Sequence, residues 1–139
     1  MKFSKIPGQL LLAAVSMMMF FSSCKKDEVI PPVYPVEGLW VGKYGSGTST
    51  PTSGYSMVVE AGGKITVADG DNITTSSKAT GTWVLTGNVF TATYTYTTAG
   101  GSTFSIKADW SNSGTMTNGT YGSGSSPTGA GTWFMNRVN

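Results

Sequence analysis

The chain has 139 residues, with nine Lys/Arg, seven Asp/Glu, one cysteine and no histidine. Without histidine, no Ser-His-Asp or Cys-His group can form, and the commonest metal ligand is missing. A single cysteine forms no disulfide within the chain, and no basic cluster of the kind that follows nucleic-acid phosphates is present.

Taken in order, the chain begins with Lys2 and Lys5, then an apolar stretch from Leu10 to Phe21 broken only by Ser16. A twelve-residue stretch is too short for a membrane-spanning helix and suits the h-region of a signal peptide. Ser22 and Ser23 supply the small side chains that a peptidase needs before its cut, so residues 1–23 are expected to be a signal peptide. Removing Lys2 and Lys5 leaves seven basic residues against seven acidic ones. After the cut come Cys24, the charged run Lys25-Lys26-Asp27-Glu28, and a segment holding Pro31, Pro32 and Pro35. Closely spaced prolines favour polyproline II, a semi-rigid spacer of about 3.1 Å per residue. Residues 24–37 are therefore expected to be a tether.

The run Ser22-Ser23-Cys24 behind this h-region resembles the lipobox of bacterial lipoproteins, with Phe21 where an aliphatic residue is usual. The resemblance implies that Cys24 is the first mature residue and receives a diacylglyceryl group. Acyl chains stabilise membrane attachment by about 0.8 kcal/mol per buried methylene. Lys25–Glu28 resembles the charged signal that routes some Gram-negative lipoproteins to the outer face of the outer membrane. A solvated spacer is the plainer alternative for so short a charge cluster, and a periplasmic position goes with it.

From Gly38 the helical period disappears and alternation takes over. In Asn88–Thr97, Phe90, Ala92, Tyr94 and Tyr96 share one face, and threonines with Val89 fill the other. Thr103–Trp110 repeats the pattern with Phe104, Ile106, Ala108 and Trp110. Thr80–Thr86 does so with Gly81, Trp83 and Leu85. Further strands are expected at Leu39–Tyr44, Tyr55–Glu60, Lys64–Ala68, Gly114–Tyr121 and Gly131–Val138. Longer loops are expected over 44–54 and 122–129. About eight short strands joined mainly by tight turns predict an all-β fold, an antiparallel up-and-down meander over residues 38–139. Closing it into a barrel removes the exposed sheet edges.

Gly38-Leu39-Trp40, Gly81-Thr82-Trp83 and Gly131-Thr132-Trp133 form three Gly-X-Trp triplets, two of them on the first and last strands. The first resembles the opening of the calycins, the lipocalin-like and avidin-like barrels. That resemblance implies a small lipocalin-like barrel with Trp40 plugging one end. The chain is shorter than typical lipocalins and shows no set of avidin ligand residues.

The inward faces offer Trp83, Tyr94, Tyr96, Phe104 and Trp110 as lining for a small apolar ligand or a glycan. The competing interpretation makes the same residues a filled core beneath a structural or protein-interaction surface. Tyr34, Tyr44, Tyr55 and Tyr121 are further candidates at loop mouths, for stacking on sugars or a protein. Asp69-Gly70-Asp71-Asn72 reads as a turn and lacks the ligand spacing of a calcium loop. The sequons at Asn72 and Asn118 are expected to be chance matches. Glu37, Glu60, Asp69, Asp71 and Asp109 show no spacing that predicts a converging carboxylate pair. No enzyme, metal site, cofactor or nucleic-acid partner is expected; the membrane, reached through the acyl chains, is.

Overall fold

The computed structural model describes residues 30–139. The expected signal peptide (1–23), Cys24 and the charged run Lys25–Glu28 lie outside the described residues. The strands are β1 (Gly38–Ser46), β2 (Ser53–Glu60), β3 (Lys64–Ala68), β4 (Lys78–Thr86), β5 (Val89–Tyr96), β6 (Thr103–Ser111), β7 (Thr115–Ser123) and β8 (Gly131–Arg137). Each pairs antiparallel with the next, and β8 returns to β1, so the expected meander closes as an eight-stranded barrel.

Side-chain alternation sorts the residues. Along β5, Phe90, Ala92 and Tyr94 are buried, while Thr93 and Thr95 face solvent. Outside, β-branched residues suit the pleated surface, and their hydroxyls pair across strands: Thr93 with Ser105 at 2.8 Å and Thr95 with Thr103 at 2.8 Å. Inside, Trp40, Met57, Ile65, Phe90, Ile106, Met116 and Met135 are fully buried or nearly so. Each such side chain contributes about 1.5–3 kcal/mol of transfer free energy.

The two ends are closed differently. At one end the connections are the short turns 61–63, 87–88 and 112–114. In the second, Gly87 takes φ +61 ahead of Asn88, the glycine-first arrangement whose twist matches that of the flanking strands. Residues 34–37, within the expected tether, pack on this end. The Tyr34 amide donates to the Asn112 carbonyl at 2.8 Å, and Val36 is buried. The Trp40 indole donates to the Val36 carbonyl at 2.8 Å, and Arg137 Nη2 donates to the Glu37 carbonyl at 3.1 Å. This end is a sealed floor. The other end carries the loops 47–52, 69–77, 97–102 and 124–130. The longest of these, 69–77, covers the outer face of β2, where Ser56 is buried and donates to the Gly70 carbonyl at 2.7 Å.

β7 carries one extra residue. Its register against β8 shifts between Met116 and Gly119, and Asn118 sits there at φ 52. Asn tolerates this conformation better than most residues, and its side chain donates to Asp109 at 2.9 Å. The bulge changes which side chains face inward. Met116 points in, and beyond the bulge it is Tyr121, not Thr120, that lies opposite Ile106 and Gly131.

Candidate functional site

At the mouth, the inward positions at the strand ends are mostly tyrosines. Tyr44 lies near the end of β1, Tyr55 near the start of β2, Tyr94 and Tyr96 at the end of β5, Phe104 near the start of β6 and Tyr121 near the end of β7. With Ser46, Asp69 and Ala130 they line a cavity of about 310 Å³. A rim depression under loop 97–102 shares Asp69, Tyr96 and Phe104 with it. Small neighbours make room. A Cβ on Gly131 would stand 2.7 Å from the Tyr121 ring.

The rings form a circuit. Centroid distances are 6.1 Å for Tyr44–Tyr121, 6.4 Å for Tyr121–Phe104, 6.0 Å for Phe104–Tyr96 and 6.1 Å for Tyr96–Tyr94. The Tyr94 and Tyr55 hydroxyls bond at 2.7 Å, and Tyr55 closes the loop to Tyr44 at 5.6 Å. Most of these contacts are edge-to-face, the arrangement that ring quadrupoles favour. Beneath the collar the Trp133 ring lies 6.0 Å from Tyr55. The Tyr96 hydroxyl donates to Asp69 Oδ1 at 2.5 Å, and Tyr121 pairs with Ser46 at 3.3 Å.

Burial is the main reason these phenols hold their protons. It raises Tyr44, raises Tyr55 strongly, and pushes Tyr94 up to about 12 even though its bond to Tyr55 acts the other way. Tyr96 is raised by burial, then by the bond it donates to Asp69 and by that carboxylate's charge. The lining therefore offers neutral rings, neutral hydroxyls and one acid, which suits holding a molecule by ring contact and hydrogen bonds.

Of the residues expected to line a ligand site, the structure brings Tyr94, Tyr96 and Phe104 together at this cavity. Trp83 and Trp110 lie in the floor half. The Trp83 indole donates to the Glu60 carbonyl at 2.8 Å and stacks on Phe90, and the Trp110 amide donates to the Asn88 carbonyl at 2.8 Å. Tyr44, Tyr55 and Tyr121, read as loop-mouth residues, are inward members of the collar. Tyr34 lies at the floor, its ring 5.3 Å from the Arg137 guanidinium carbon. Asp69, read as a turn residue, lines the cavity. The alternation of Ile65 and Val67 on β3 carries the signal that would have placed it there. Asp71 pairs with Lys43 at 2.9 Å. No protein-family model, curated protein or solved structure matches this chain.

Proposed function

We propose that the protein is an exported lipoprotein, anchored in the outer membrane through acyl chains on Cys24, whose lipocalin-like barrel binds a small ligand without catalysis. The observation that carries the binding half is the collar-lined cavity of about 310 Å³. Ligand pockets run from roughly 300 to 1,000 Å³ and combine apolar walls with a few placed polar groups. An eight-stranded barrel can either fill its interior with side chains or hold one small molecule. Here the floor half is filled and the mouth half is not, so the ligand is small and sits near the rim. The signal-peptide pattern with Cys24 supports the anchoring half.

Native mass spectrometry of the protein purified from its own cells tests the binding half, with a bound mass of a few hundred daltons expected. A bare chain whose melting temperature no small molecule shifts would favour the alternative, a structural or protein-interaction module. Cys24→Ala tests the anchor. The variant should leave the membrane fraction, and retention after a carbonate wash would refute lipid attachment.

A further inference from the structure

We propose that the occupant of the mouth cavity is a small organic cation, a protonated amine or quaternary ammonium, enclosed by the tyrosine collar with Asp69 as its counter-charge. The inference rests on the ligand-binding reading above and specifies its chemistry.

Charge is the first observation. Asp69 is the only carboxylate in the lining, and no Lys or Arg shares it. Among the described residues the one ion pair joins Lys43 to Asp71, which leaves the Asp69 carboxylate with a hydroxyl partner but no cation. An anionic ligand would face that carboxylate with nothing to offset the repulsion. A cation would gain from it, more so in a partly water-excluded site than in bulk water.

Hydrogen-bonding capacity is the second observation. A polyhydroxylated neutral ligand needs free donors and acceptors around it. Four of the five tyrosine hydroxyls are already committed: Tyr55 to Tyr94, Tyr96 to Asp69 and Tyr121 to Ser46. What remains for a ligand is aromatic surface, the Tyr44 hydroxyl, the one O–H left over in each hydroxyl–hydroxyl pair and the second carboxylate oxygen, and of these only the carboxylate is a charged partner. Aromatic cages around a carboxylate hold ammonium groups through the ring quadrupole and direct Coulomb attraction. Behind burial, the Asp69 charge adds to the upward shifts of Tyr44, Tyr55, Tyr94 and Tyr96 around the cavity.

Calorimetric titration of the full chain tests this with two matched pairs: choline against 3,3-dimethylbutan-1-ol, and phenylethylammonium against 2-phenylethanol. Glucose serves as a neutral polyol. At least one cation should bind about tenfold or more tighter than its neutral counterpart. Asp69→Asn keeps an acceptor for the Tyr96 hydroxyl and should weaken that cation about tenfold, leaving the neutral probe and the melting temperature unchanged. Tyr96→Phe keeps the ring and should weaken it only about twofold. If the neutral partners or glucose bind as tightly as the cations, or Asp69→Asn changes nothing, the cation proposal falls while the cavity remains a ligand site. If no probe saturates, the cation proposal falls, and a retained mass in the native spectrum then decides separately whether the site binds anything.

Discussion

At the floor, turns of two or three residues bring the strands together over indoles, methionines and a buried valine. At the mouth, loops of six to nine residues separate strand ends that carry tyrosines. Both ends follow the same inward–outward alternation, and what differs is the side chain at the inward positions. Methionine, isoleucine and phenylalanine have no polar atom that must be satisfied, so they pack into the middle and fill it. A tyrosine hydroxyl needs a partner or water, which keeps these rings near the opening. The empty space lies where the hydroxyls gather, so the identity of the inward residue decides between core and cup.

Three substitutions or titrations test this contrast. Trp40→Ala removes the floor plug and orphans the Val36 carbonyl, and should cost about 3–5 kcal/mol in denaturant unfolding. A loss below about 1 kcal/mol would mean that the floor is not the stabilising half.

Alkaline pH should attack the mouth instead. Tyr94 holds its proton up to about 12 in the fold, against 10.0 when unfolded. Between those values the unfolded chain binds fewer protons than the native one, so stability falls as pH rises and is unaffected below that window. Two pH units on one group amount to about 3 kcal/mol. Urea midpoints measured from pH 9 to 12 should fall, and Tyr94→Phe should make the decline shallower, with Tyr44, Tyr55 and Tyr96 keeping their share of it. An unchanged midpoint across that range would show that the collar phenols are solvated. The smallest effect is Tyr55→Phe, which leaves the Tyr94 hydroxyl without its 2.7 Å partner and should cost about 1 kcal/mol. A larger loss would indicate that the hydroxyl chain, not only the rings, holds the mouth together.

Much of the barrel was legible because period-two alternation is strong in β4, β5 and β6. β3 runs over Lys64–Ala68 as the sequence predicts. The inward faces of Tyr94, Tyr96 and Phe104 follow from the same rule. Tyr121 does not, because strict alternation counted from Met116 sends it outward. Only the extra residue at Asn118 turns it in, and a bulge leaves little mark in a run of Thr, Asn and Gly. Asp69 was obscured by its neighbours, since Asp-Gly-Asp-Asn has the composition of a turn. The same segment extends the β3–β4 connection into the longest loop at the mouth. Tyr34 was misplaced because its proline-rich surroundings read as a free spacer, whereas its amide bonds to the turn at Asn112.

The chain reaches β1 by way of the floor, since residues 34–37 lie against that end before Gly38 begins the first strand. Residues 34–37 thus enter at the sealed base, and the cup opens on the opposite side. Entry and opening occupy opposite ends, like the foot and rim of a goblet, so the residues that lead into β1 do not cross the rim.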